Sequence, residues 1–249
     1  MARQKGILKV HGTLDNLTFY KTQDGHLVKT KGGVSKERIA SDPAFARTRE
    51  NGTEFATSAN AGKLTRDSLR PMALNASDNR VVSRLTQLMA RIKNFDTTSA
   101  RGSRNVGVAI AVASAKALLK GFEFNKGALL GSILFKPYAV NTATGEITIP
   151  GIVPINDIVI PAGATHMSLT GCYANINYAD GTTDVKLSND VNLPIDGTQS
   201  NITLTPTAVP VGTGTKLFLL KVEFFQLVNG VQYSLKNGAF NALRIVEVA

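Results

Sequence analysis

Imidazole, thiol and clustered carboxylate chemistry have few places to arise in this chain. The histidines are His11, His26 and His166, and the one cysteine is Cys172. His11 and His26 share an N-terminal stretch and would face each other across a hairpin to hold a metal. No third ligand stands near them in sequence, and exposed strand positions are the simpler reading. A lone cysteine excludes an internal disulfide framework and a cysteine-clustered metal site, and within a strand-like run it reads as a small buried hydrophobe. Composition leaves room for a Ser/His/Asp arrangement, yet no Gly-x-Ser-x-Gly elbow occurs. Gly212-Thr213-Gly214-Thr215-Lys216 superficially resembles a phosphate loop, but it lacks the Gly-x-x-x-x-Gly-Lys-Ser/Thr spacing and a strand-like run follows it. A phosphate cradle needs a helix N-terminus there, so the segment reads as a turn. Asp180, Asp184 and Asp190 offer carboxylates for a calcium ion in a loop, without EF-hand spacing. The expectation is a protein that is not an enzyme and holds no cofactor or metal.

Charge offers more. Lys21, Lys29, Lys31, Lys36 and Arg38 crowd an N-terminal stretch and its exit, beside Phe19 and Tyr20. A basic β-ribbon is one way of entering a nucleic-acid groove. The aromatic interleaving stops there, however, and no DNA- or RNA-binding signature is present.

The element that must position these residues is Gly6 to Gly33. Val10, Leu14, Leu17, Phe19, Leu27 and Val28 are spread through Thr- and Lys-rich arms, and Asp24-Gly25 between two arms signals a hairpin. Such a ribbon is marginal alone and needs something to lie on. Lys31-Gly32-Gly33 reads as a flexible joint. Asp42 as N-cap and Pro43 at the first helical position open a helix over 43–70, ending at or before Pro71. Phe45, Thr48, Gly52, Phe55, Ala59 and Gly62 fall on one face of it.

Asp78 caps a second helix to about Asn94. Its stripe is Val81, Val82, Leu85, Leu88, Met89 and Ile92, with Arg80, Arg84, Arg91 and Lys93 on the solvent side. Together the two helices form a hairpin whose apolar faces would cover the ribbon. Thr97–Asn105 is a polar basic loop, and Val106–Lys120 alternates weakly before reading as a short helix. Beyond Gly121 the pattern is strands, punctuated at Thr144-Gly145, Pro161-Ala162-Gly163, Asp180-Gly181 and Asn229-Gly230. Seven to nine short strands with such turns imply an antiparallel β-sandwich.

Net charge is +10, unevenly placed. Residues 1–120 carry 21 Lys+Arg against 9 Asp+Glu, or +12; residues 121–249 carry 7 against 9, or −2. That shift supports a division into a β-ribbon arm (1–40), a helical region (41–120) and a β-sandwich domain (121–249). A basic half suits nucleic acid, and equally suits docking on the acidic half of another copy. The N-terminus has no apolar signal core, and the longest apolar run, Val106–Ala113, is about half the ~20 residues a membrane span requires. The expectation is cytoplasmic synthesis without membrane insertion, with a virion or an assembly exported by another route as further destinations.

The motifs Gly6-Ile7-Leu8-Lys9, Gly12-Thr13, Thr18-Phe19-Tyr20, Asp42-Pro43-Ala44-Phe45 and Arg47-Thr48-Arg49-Glu50-Asn51, with Leu118-Leu119-Lys120-Gly121-Phe122, resemble a group of often multicopy proteins of Bacteroidota and their mobile elements. That group has no established activity. The resemblance covers mainly the N-terminal half and implies a basic ribbon-and-helix module followed by a β domain.

The resulting expectation is an α+β chain: an N-terminal basic β-ribbon plus helical hairpin, followed by an antiparallel β-sandwich. Its expected role is a self-assembling subunit of a filament, tube or virion-like particle, with other copies of itself as partners. Leu17, Phe19, Tyr20, Phe45 and Phe55 are the expected interface. Nucleic-acid binding through the basic half, or carbohydrate or surface binding through sandwich loops, are the alternatives.

Overall fold

Two short β-prone runs separated by a polar pair make each N-terminal reversal. Strands β1 (Ala2–Arg3), β2 (Gly12–Leu14), β3 (Leu17–Thr22) and β4 (Gly25–Thr30) form an antiparallel sheet in the order β1-β4-β3-β2. The computed structural model describes residues 2–30, 32–235 and 240–249. Thr22 pairs with Gly25, so Gln23 and Asp24 make the turn and Gly25, at φ 115°, follows it. The reversal sits one residue earlier than the Asp-Gly pair predicts. A second turn at Asp15-Asn16, where Asp15 adopts φ 48°, adds β2, which the sequence reading did not separate. The expected two-stranded ribbon is therefore the centre of a four-stranded sheet.

Ser35 caps α1 (Lys36–Ser41), its hydroxyl accepting the Arg38 N–H at 3.2 Å. Asp42 then accepts the Ala44 N–H at 2.9 Å and starts a single 3₁₀ turn, Pro43–Phe45, which leads into α2 (Ala46–Ser68). The Asp42-Pro43 start signal holds. The chain divides into two compact units between Arg49 and Glu50, within α2.

In the second unit, Pro71 sits in the first turn of α3 (Arg70–Ala73), where its missing N–H costs nothing. The remaining helices are α4 (Val81–Lys93), α5 (Val106–Ala109), α6 (Ala113–Ala117), α7 (Leu130–Ile133) and α8 (Pro154–Asp157). The strands are β5 (Ala139–Val140), β6 (Ile147–Ile152), β7 (His166–Ile176), β8 (Thr183–Pro194), β9 (Ser200–Leu204), β10 (Thr215–Val228), β11 (Val231–Ser234) and β12 (Ala242–Val248). They form an antiparallel five-stranded sheet, with order β11-β10-β7-β8 and β12 also on β10, and a three-stranded sheet, β5-β6-β9. β10 is long enough to serve two partners on one side: β12 along 217–222 and β11 along 225–228.

β7 and β10 are buried on both faces and fill two cores. One face presents Cys172, Ala174, Ile176, Leu217, Leu219, Leu243 and Ile245 to Leu85, Leu88, Met89 and Ile92 of α4 and to Leu69 and Met72. The other presents Tyr173, Phe218, Leu220 and Phe224 to Ile147, Ile149, Ile152, Ile202 and Leu204. The apolar stripe of the helices, expected to cover the N-terminal strands, is thus buried against the five-stranded sheet. The charge shift near residue 120 has no counterpart in packing, because a single core spans it.

This has a testable consequence. A fragment of residues 121–249 would expose one whole apolar face of the sheet, at about 25 cal/mol per Å² of uncovered apolar surface. It is expected to be unfolded or aggregated by circular dichroism and size exclusion, whereas 50–249 is expected to fold. A monomeric 121–249 fragment with a cooperative melt would show the helices to be dispensable.

Candidate functional site

Alternation along paired strands sorts the N-terminal sheet into two faces. Phe19 lies opposite Val28 and Gly12, Leu17 opposite Leu14, and Lys21 opposite His26, so Leu14, Leu17, Phe19 and Val28 share a face. Leu14 is 69% exposed there. Tyr20 pairs with Leu27 on the opposite face, where the Lys29 ammonium lies 5.7 Å from its ring centre. The expected interface residues Leu17 and Phe19 thus belong together, and Tyr20 does not join them.

The loop from Gln4 to Val10 is pinned by its own hydrogen bonds. Gln4 Nε2 donates to Leu27 O at 3.1 Å, Gln4 Oε1 accepts the Val10 N–H at 3.0 Å, and Lys9 Nζ donates to Gln4 O and Gly6 O at 2.7 and 2.6 Å. It holds Ile7 and Leu8 in solvent at 101% and 86% exposure. Sequence reasoning missed these two, because hydrophobic periodicity has nothing to say about an apolar pair in a turn. Their only signal was adjacency: two aliphatics side by side, which fits neither strand alternation nor a helical stripe.

Lys21 and Lys29 do not share a face of the sheet. Lys21 is on the apolar face and Lys29 on the other, while Lys36 and Arg38 are on α1. Arg38 is engaged by Asp42 at 3.1 Å and lies over the Phe45 ring at 5.7 Å. Lys31 lies outside the described residues. Arg49 donates to Ile39 O and Asp42 O, tying α1 to the start of α2. Phe45 is partly buried, and Phe55 is 62% exposed.

The inward face of α2 is Glu54, Ser58, Ala61, Gly62 and Thr65, and not the face carrying Phe55 and Ala59. Small residues allow close approach: a Cβ on Gly62 would lie 3.5 Å from the Thr86 backbone nitrogen. Glu54, 3% exposed, heads this stripe. Its carboxylate accepts Lys93 Nζ at 2.5 Å, Arg104 Nε and Nη2 both at 2.9 Å, and the Gly102 N–H at 2.9 Å. The Arg104 bonds hold the Glu54 carboxyl at about 2, against the opposing effect of burial and with help from Lys93 and Gly102.

Lys93 is therefore buried, not on the solvent side expected for it, and Arg84 is engaged by Asp78. The basic loop Thr97–Asn105 is likewise organised from within. Burial works to raise the Asp96 pKa, yet hydrogen bonds from Ser99, Asn105 and Thr98 bring it well below the usual carboxylate range. Arg101 lies 3.0 Å from Glu50. Both cations of the loop are thus paired within the second unit, Arg101 with Glu50 and Arg104 with Glu54.

The other chemical candidates disperse. Asp180 accepts from Asn177 and Thr182, Asp184 from Lys186 and Val211, and Asp190 from Thr170. Lys21, not His11, stands opposite His26. Among the described residues no three His, Cys, Asp or Glu side chains are grouped to hold a metal. The Asn175 amide bonds Gly212 O and Gly214 N at 2.9 Å each, and a Cβ on Gly214 would lie 2.4 Å from Ile176 backbone atoms. That segment is a turn packed on β7 and held by the Asn175 amide. Burial pushes the Cys172 thiol up to about 12, so it is no nucleophile at neutral pH. No helix among the described residues is long and apolar enough to cross a membrane. Comparison with family models, curated proteins and solved structures finds no match.

Proposed function

We propose that the chain is a self-assembling structural subunit of a filament, tube or virion-like particle, in which the N-terminal sheet of one copy packs on another copy. One observation carries this reading: none of the described residues among 2–49 is buried. A unit of that size with no core of its own is marginal in water. Yet it has turns, caps and a loop pinned by hydrogen bonds, and it holds Ile7, Leu8, Leu14 and Leu17 toward solvent. Exposed aliphatics on an ordered scaffold are what an unoccupied contact surface looks like. Beyond residue 121, the two sheets sharing a core fit an open β-sandwich, a scaffold that carries this arm into the assembly.

Sedimentation velocity and negative-stain microscopy of the purified full chain test the reading. Regular polymers are the expected result, and a monomer at high concentration overturns it. Nucleic-acid binding is the other outcome to watch. It would show as retention on DNA or RNA with a steep salt dependence, which replacing Lys21 and Lys29 by Ala would flatten. The division of those lysines between opposite faces argues against a single phosphate-tracking strip.

A further inference from the structure

We infer that the acceptor for the N-terminal sheet is the β10–β11 hairpin of the neighbouring copy. This rests on the self-assembly reading and adds to it the surface that receives the arm.

Among the described residues, the outer edge of β12 and part of that of β8 are covered, and that of the hairpin is not. The outer edge of β12 is covered by 121–124, with Gly121 N to Ile245 O and Phe124 N to Leu243 O at 2.8 Å and Ile245 N to Phe122 O at 3.0 Å. The outer edge of β8 meets Thr207 N at Leu187 O and bridges to Pro206 at Ser188. β11 has no backbone partner but β10 among the described residues. Pairing of β10 with β7 ends at Phe225 and His166, so Gln226 to Tyr233 run past the sheet around the Asn229-Gly230 turn. Leu227, Val228, Val231 and Tyr233 are all exposed on this projection. Natural edges are normally blunted by charge, proline or a covering segment. From Phe224 to Leu235 the chain has no charged residue and no proline.

Charge selects the occupant. The amides of Gln232 and Asn192 bond each other at 2.9 and 3.0 Å, which sets β8 beside the hairpin. From Leu187 to Thr215 there is no Lys or Arg, and Asp190 and Asp196 are exposed. The next cation after the hairpin, Lys236, lies outside the described residues. Residues 1–49 carry 10 Lys+Arg against 4 Asp+Glu, or +6. An apolar edge beside the exposed Asp190 and Asp196 suits an apolar face that carries Lys21 on an arm of net charge +6, and both surfaces occur once per chain. A contact between two different surfaces does not close on itself, so repetition gives a fibre or a ring.

The test uses the full-length chain with Val231→Lys and Tyr233→Lys together, exposed positions where the fold is expected to survive. Circular dichroism and a melt check that it does, and Val231→Ile with Tyr233→Phe serves as the conservative pair. The Lys pair is expected to raise the critical concentration for polymer at least tenfold, and the conservative pair to leave it near wild type. Mixing the Lys pair with Phe19→Asp chains is expected to yield a 1:1 dimer, one intact arm on one intact hairpin. Polymers of the Lys pair at the wild-type concentration would overturn the acceptor assignment and leave self-assembly standing. So would a mixture that stays monomeric, or a Phe19→Asp chain that dimerises alone, which would mark hairpin-to-hairpin pairing. A monomeric wild type would remove the assembly reading and this inference with it.

Discussion

Phe19→Asp is expected to turn the polymer into a soluble monomer with an unchanged circular dichroism spectrum. Phe19 stands between Gly12 and Val28 at the centre of the apolar face of the N-terminal sheet, with Leu17 and Leu14 along the same face. Burying a side chain of this kind contributes about 1.5–3 kcal/mol, and every contact along a polymer repeats the term. A factor of roughly ten in affinity follows from each 1.4 kcal/mol, so losing the phenyl and desolvating a carboxylate together abolish assembly at ordinary concentrations. The fold should survive, because no described residue of 2–49 belongs to either core. Deleting residues 1–33 should have the same effect. The register supplies a sharp control: Tyr20→Asp, on the opposite face beside Lys29, should assemble far better than Phe19→Asp. Equal polymer formation by the truncated chain would refute the arm's role, and equal loss from Tyr20→Asp would show that the apolar face is not what docks.

Local signals in this chain were legible and long-range ones were not. Asp42-Pro43 starts a helical segment and Asn229-Gly230 closes a hairpin, with Asn229 at φ 51° and Gly230 at φ 80°, because caps and tight turns depend on a few neighbouring residues. Of the expected stripe, Val81, Leu85, Leu88, Met89 and Ile92 are buried and were legible for the same reason, while Val82 is exposed. What the stripe was buried against could not be read, since a stripe specifies a face and not a partner. The inward face of α2 failed differently. Ranking by hydrophobicity places Phe55 inside, whereas the helix buries Glu54 with Ser58, Ala61 and Thr65. A carboxylate enters a core only when its partners are known, and Lys93 and Arg104 are 39 and 50 residues away. In the candidate site, Leu17 and Phe19 were found from composition, but their separation from Tyr20 needed the pairing register.

Removing the Glu54 carboxylate should be the most damaging single change in the second unit. Glu54→Ala would leave Lys93 Nζ and the Gly102 N–H without their acceptor at a site where Glu54 is 3% exposed. Breaking a buried pair from one side costs about 3–5 kcal/mol, and about 3 is expected here because Arg104 keeps contact with solvent. For a unit of this size that corresponds to a fall of roughly 6–12 °C in Tm. Glu54→Gln, which keeps the shape and loses the charge, separates electrostatics from packing. The Glu54 carboxyl titrates near 2 in the folded chain against 4.5 for the ordinary group, so the folded state binds fewer protons between those values. Its contribution is complete above about 4.5 and drains away as pH falls toward 2. Melts of wild type and Glu54→Gln should accordingly be well separated at pH 6 and converge in acid. A gap that persists unchanged down to pH 2, or no gap at pH 6, would mean that the carboxylate does not hold α2, α4 and the Thr97–Asn105 loop together.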